Sequence, residues 1–236
     1  MKRLVTAIWL DARLQVRYGL YAVTAIVVAA WAIALVFFAE ALRPHAALIV
    51  PLFVVGNLLL TTFYFVAALV LFEKGEGSLA AIATTPLRDA EYLLSKVISL
   101  TALAMIESLV IVALLSGIRT PWELLLPASA FLAAVYTMIG FIAIVRHDSI
   151  NEFLIPSMGY VFVFVAPLVG HFGFVDSIYF LPHPVEMALV LMRAAYAVEP
   201  NWKIAIALGG LVAWFAATFV WARHRFDRFV VRTMGA

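Results

Sequence analysis

Apolar residues run through this chain in six long blocks, at 20–39, 46–72, 97–118, 124–145, 153–170 and 203–222, with short polar islands between them. Each block reaches roughly the 20 residues that a helix needs to cross the hydrocarbon core of a bilayer. The blocks are apolar on every side rather than along one stripe, which is the pattern of helices surrounded by lipid or by other apolar helices. The pattern predicts an all-α integral membrane fold: one transmembrane domain over 1–236 with six spans. Three segments stand apart. Residues 2–17 alternate charge and apolar character, with Leu4, Ile8 and either Ala12 or Leu14 on one helical stripe and Lys2, Arg13 and Arg17 off it. That suits an amphipathic helix lying along a membrane surface. It is read as retained structure, because Asp11, Arg13 and Arg17 interrupt the apolar run and no small-residue cleavage site follows. Residues 174–200 carry Pro182, Pro184 and Pro200 around a short helical pattern at 185–197, with Asp176, Glu186, Arg193 and Glu199. A re-entrant or interfacial helix before the last span accounts for this better than a seventh crossing.

Composition supports the bilayer as solvent. Of 236 residues, 66% are hydrophobic and 13% charged, about half the charged share of a soluble domain, and the mean hydropathy is +1.07. The net charge of +2 is small and the basic residues are scattered among loops, so nothing points to nucleic acid as a partner. Cysteine is absent, which excludes disulfides, thiolate nucleophiles and Cys-based metal sites. The basic residues instead set orientation. With six crossings and a cytoplasmic N-terminus, twelve of the sixteen face inward: Lys2, Arg3, Arg13, Arg17, Lys74, Arg88, Lys96, Arg146, Arg223, Arg225, Arg228 and Arg232. Only Arg43, Arg119, Arg193 and Lys203 face outward. The bias places both termini and the island at 73–96 in the cytoplasm of a multi-pass cell-membrane protein.

That island, EKGEGSLAAIATTPLRDAEYLLSK, is the most informative stretch. Gly75 and Gly77 loosen the chain after the second span. Ser78 can cap a short helix to about Ala83, with Leu79 and Ile82 on one face. Pro86 forces Thr85 out of helical geometry, yet suits the first turn of a new helix that runs through Tyr92 and Lys96 into the third span. The result is a small cytoplasmic helix joined to a transmembrane one, a lever able to tilt the span behind it. A loop of this length that simply folds into short helices has the same composition.

The run Glu73, Gly77-Ser78-Leu79, Ile82, Thr85-Pro86-Leu87, Glu91-Tyr92-Leu93-Leu94 and Lys96 resembles the loop between spans two and three of ATP-binding-cassette type-2 transporter permeases. The likeness extends over the whole architecture and is nearest to permeases of drug export, including those of fluoroquinolone type. It implies that Glu73, Gly77, Ser78, Leu79, Ile82, Thr85, Pro86 and Leu87 belong to a coupling helix seated on an ATPase subunit. It also implies two ATPase subunits and a second permease subunit, identical or related, with substrate moving between the permease halves. Ser78 stands where the family usually has Thr, and Ala80 where it often has Glu.

The chain has no G-x-x-x-x-G-K-[ST] loop and its cytoplasmic segments are too short for a nucleotide domain, so it carries no cofactor, and ATP with its Mg²⁺ would be bound by the partner ATPase. Within the membrane, Glu107 stands out at the middle of the third span, where a charge costs about 2.5–3.5 kcal/mol on insertion scales. It could line a path for a cationic or zwitterionic substrate, with Asn57 and Thr61 as weaker candidates, or it could tie helices together by hydrogen bonds. Arg146, His147, Asp148, Asn151 and Glu152 form a second cytoplasmic turn, and the basic tail at 223–232 suits anionic headgroups. His171, His183 and Glu186 are too few and too poorly spaced for a metal site, and no HExxH pattern occurs. No catalytic or metal-ligating set emerges. An intramembrane enzyme or a non-transporting scaffold remains the alternative, and an ATPase docked on 79–87 is what separates them.

Overall fold

The computed structural model describes residues 2–79, 87–117, 120 and 122–231. Helix α1 (Lys2–Arg17) leads through a tight turn at Gly19, whose φ of +74° is open to glycine at little cost, into α2 (Leu20–Leu42). A 3₁₀ turn at Arg43–His45 reverses the chain. The second apolar block is one long rod made of α3 (Ala46–Leu58), a π-helical turn (Leu59–Tyr64) and α4 (Phe65–Gly75). Then come α5 (Asp89–Ser116), α6 (Trp122–Ile144), α7 (Ile150–Val165), the short α8 (Leu168–His171), α9 (Pro184–Ala194) and α10 (Asn201–Phe226). Among the described residues, six helical stretches are long and apolar enough to cross a membrane: Leu20–Phe38, Glu40–Gly75, Asp89–Ser116, Trp122–Ile144, Ile150–His171 and Asn201–Phe229. They correspond one for one with the six apolar blocks of the sequence.

The helices are not equivalent. In α6 almost every residue from Ala128 to Ile144 is buried, whereas α2 and α10 leave most of their apolar surface outward, including Ile26, Ile33, Phe37, Val212 and Val220. Helix α6 is the axis, packed by α5, α10, α9 and the π turn. The outward apolar surface is what a hydrocarbon solvent calls for. Helix α9, too short to span at 11 residues, is buried from Pro184 to Met192 against α6 and α10. It therefore packs into the bundle as a plug and does not lie as an exposed surface helix.

Ion pairs gather alternate chain turns at one end of the bundle. Arg17 meets Glu76 at 3.0 Å, and Lys74 Nζ donates to the Val145 and His147 carbonyls at 2.7 and 2.8 Å and pairs with Asp148 at 3.1 Å. Arg223 pairs with Asp89 at 2.7 Å. At the other end the His171 ring lies 2.8 Å from the Leu48 carbonyl and Ser116 lies 3.0 Å from the Tyr196 hydroxyl. Successive spans that alternate in direction produce this sorting.

Two details depart from the sequence reading. The apolar stripe expected of α1 is only half-buried, and the face turned inward is Ala7, Asp11 and Gln15, which packs on α5. The third-span helix starts at Asp89 and not at Pro86, because Arg88 is extended (ψ 146°) and its N–H is capped by the Glu91 carboxylate at 3.0 Å. The caps follow ordinary rules elsewhere: the Ser149 hydroxyl accepts from the Glu152 N–H at the start of α7.

A close backbone-to-backbone helix crossing falls at Gly140 of α6. A Cβ there would sit 2.6 Å from Val66 Cγ1 and 2.7 Å from the Phe63 carbonyl oxygen, so a methyl group would collide with the backbone of the π turn. Gly140→Ala is expected to destabilise the bundle by about 1–3 kcal/mol, whereas Gly159→Ala, with open space around it, is expected to be neutral. The fraction surviving a heat challenge in detergent as a monodisperse peak distinguishes the two.

Candidate functional site

The island at 73–96 rises from a buried ionic cluster. The last turn of α4 contributes Glu73, the first two turns of α5 contribute Tyr92, Ser95 and Lys96, and α1 contributes Asp11; all five are buried. The Lys96 ammonium sits between two carboxylates, 2.5 Å from Asp11 Oδ1 and in contact with Glu73 Oε1. The Tyr92 hydroxyl donates to Glu73 Oε2 at 2.5 Å, and the Ser95 hydroxyl to Asp11 Oδ2 at 2.6 Å. One turn further on, Gln15 Nε2 donates to Ser99 Oγ at 2.9 Å. The four carboxylate–lysine and carboxylate–hydroxyl contacts thus each use a separate oxygen, so neither acid is left with a bare charge. The arrangement locks α1, α4 and α5 to one another at the two roots of the island. Burying such a set is costly unless every member is partnered, and here each ionic member is.

The residues singled out in the sequence divide around this cluster. Glu73 is within it and not on an accessible surface. Gly77 is exposed, with φ +70° at the end of α4, where a left-handed residue ends a helix. The Ser78 hydroxyl donates back to the Glu73 carbonyl at 3.1 Å and so binds the preceding turn; the helix it was expected to cap falls outside the described residues. Leu79, expected on a face that meets a partner, is fully buried in the apolar core; an apolar side chain beside the ion cluster gains more from the core than from solvent. Leu87 is half-buried against the same core. Ile82, Thr85 and Pro86 lie outside the described residues.

Glu107 is brought together with both of its companion candidates. Its Oε2 accepts from Asn57 Nδ2 at 2.8 Å and from the Thr61 hydroxyl, and all three residues are buried between α3, the π turn and α5. Thr24 of α2 lies beside the same carboxyl. Glu107 Oε1 and Asn57 Oδ1 are buried with no hydrogen-bond partner among the described residues. The π turn is where Thr61 sits, and the Thr62 hydroxyl bonds the Leu58 carbonyl at 2.6 Å across it. An apolar groove of about 440 Å³ between α5, α6 and α10 is lined by residues such as Thr101, Phe131 and Phe215 and does not reach Glu107.

At the opposite end, Arg193 of α9 holds Glu186 at 2.7 Å, Glu199 at 3.3 Å and the His171 ring at 3.2 Å. Burial pushes the His183 imidazole down to about 4, and as a neutral ring its Nδ1 accepts the Val185 N–H and caps α9. Glu186 is raised by burial, with Arg193 opposing the shift. Among the described residues no three metal-binding side chains converge.

A family model for the fluoroquinolones export permease protein family matches residues 2–234, nearly the whole chain and both polar clusters with it. The chain belongs to that family. Two relatives from Mycobacterium tuberculosis, strain CDC 1551 / Oshkosh and strain ATCC 25618 / H37Rv, are each named fluoroquinolones export permease protein. Each is 27% identical over 240 residues, spanning all of this chain and 99% of the relative. A member of the fluoroquinolones export permease family that has six apolar helices is a multi-pass drug-export permease, the class that the run from Glu73 to Lys96 resembles.

The sequence reading missed Asp11 and Gln15. The available signal was spacing: Asp11 and Gln15 are four apart, as are Ser95 and Ser99, so each pair lies on one helix face. Two such stripes in otherwise apolar surroundings can satisfy each other side by side. Lys96→Met is expected to cost about 3–5 kcal/mol, because it leaves two buried carboxylates facing each other without a cation. Adding Asp11→Asn and Glu73→Gln to it should recover a large part of the thermal survival in detergent.

Proposed function

We propose that this chain is the membrane-spanning subunit of an ATP-binding-cassette drug exporter in the cell membrane, with both termini cytoplasmic. It would work with a second permease subunit, a copy or a related chain, and with separate ATPase subunits that bind ATP and Mg²⁺. The observation that carries this reading is the family match over the whole chain, together with the anchored island at 73–96. An exporter of this kind needs a force-receiving element rigidly joined to spans. Both ends of the island are rooted in the Lys96 cluster, so a push on residues 80–87 would be delivered to α4 and α5 together, with α1 following. The bias of Lys and Arg supports the cytoplasmic placement, since the ion-paired end of the bundle carries Arg17, Lys74, Lys96 and Arg223. By the relatives' names, a fluoroquinolone is the first cargo to try. Glu107, Asn57 and Thr61 are the proposed substrate-path groups. They are sealed in this arrangement, and the π turn beside them, a feature frequent at functional sites, is the place where the rod can change its winding and open them.

In a complex of this chain with its ATPase, Ile82→Asp should abolish substrate-stimulated ATP hydrolysis while membrane insertion and basal hydrolysis persist; unchanged stimulation would sink the coupling assignment. Leu79→Asp should instead lower the yield of folded chain, because Leu79 is a core residue. Glu107→Gln preserves the shape and both accepted hydrogen bonds but removes the acid. Fluoroquinolone efflux from cells expressing the exporter should then fall or change in substrate preference, and equal efflux of several substrates would assign Glu107 to helix packing alone.

A further inference from the structure

The inward turn of Asp11 and Gln15 leaves α1 with an outward face of a different character. Val5, Trp9, Leu10 and Val16 are exposed on it. Arg13 projects from the same side, its guanidinium carbon 3.2 Å from the centroid of the Trp9 ring. The neighbouring Arg17 is neutralised by Glu76 and Lys96 by two acids, but among the described residues no acidic residue pairs with Arg13. The tight turn at Gly19 folds α1 against the first turn of α2, so that Trp9, Ala12, Arg13 and Val16 on α1 and Tyr21 on α2 line one groove of about 330 Å³. Tyr21 stands in the opening turn of the first span. The groove therefore lies at the level where hydrocarbon gives way to headgroups, and where aromatic residues concentrate.

We propose that this elbow binds an anionic phospholipid, its phosphate on Arg13 and the start of an acyl chain along Val16 and Tyr21. Charge complementarity selects that occupant. A guanidinium stacked flat on an indole keeps its N–H edge free and oriented, the geometry that grips phosphate oxygens in pairs. An apolar floor beside one unpaired cation at membrane depth matches a lipid that carries net negative charge, and it discriminates against a zwitterionic one whose choline would meet the same cation. Such a lipid would hold α1 in place from outside while Lys96 holds it from inside, linking the leaflet's composition to the island.

The experiment uses the full chain purified from bicelles of mixed phosphatidylglycerol and phosphatidylcholine, with retained lipid quantified by native mass spectrometry. Phosphatidylglycerol should be enriched about fivefold over its bulk share, the value of roughly one Arg at an anionic surface. Arg13→Gln should return the ratio to bulk and Trp9→Ala should lower it, while Arg13→Lys keeps part of it and Arg17→Gln keeps all of it. Unchanged enrichment in Arg13→Gln overturns the site. Displacement of the lipid by inorganic phosphate alone overturns it as well, because the groove would then be a general anion site. None of these readouts requires an ATPase partner, so they stand or fall independently of the transport assignment.

Discussion

A single ammonium group between two carboxylates decides how one end of this bundle is put together. Lys96 is wholly buried and meets Asp11 on one side and Glu73 on the other, so three elements distant in sequence converge on one atom. Buried ion pairs do not add much net stability over a well-packed apolar substitute. What they add is exclusivity: any other packing of α1, α4 and α5 strands at least one charge away from water. Tyr92 and Ser95 strengthen that restriction by using the remaining carboxylate oxygens.

The rest of the molecule distributes its surfaces around this fixed end. Helix α6 is enclosed on all sides, and close approach at Gly140 lets it meet the π turn backbone to backbone. Helices α2, α7 and α10 carry the outward apolar faces. At the far end α9 fills the space that a six-span bundle leaves open, held by Arg193 through Glu186, Glu199 and the His171 ring. A permease built this way is closed by packing at one end and by charge at the other, and its interior polar groups around Glu107 lie between the two closures.

Much of this was legible in the sequence because a bilayer imposes simple rules. Six long apolar runs could only be six helices, and their order and bounds agree with the observed helices to within a few residues, except where the second stretch begins at Glu40, α5 starts at Asp89 and the last helix runs on to Phe229. Asn57, Thr61 and Glu107 were each readable as polar groups in hydrocarbon that need partners, but that they partner one another is seen only in the fold. What periodicity could not reveal was pairing between segments. Lys96 reads as one more cytoplasmic cation, and Asp11 as an interruption in a surface helix, until the fold places them 2.5 Å apart. Leu79 illustrates the reverse error: an apolar residue in a polar loop looks like a contact surface, and here it is part of the core.

The π turn has a consequence for how the two polar clusters coexist. Lys96 and Glu107 are eleven positions apart on α5, and at about 100° per residue they project from nearly the same side of that helix. Their partners on the opposing rod, Asn57 and Glu73, are sixteen positions apart, which in an uninterrupted α-helix would point them about 160° away from each other. One extra residue wound into the turn at Leu59–Tyr64 takes up about 100° of that difference, so both face α5. The bulge thus acts as a phase corrector between two rows of charge, and any motion that ironed it out would swing one row off its partners while leaving the other engaged.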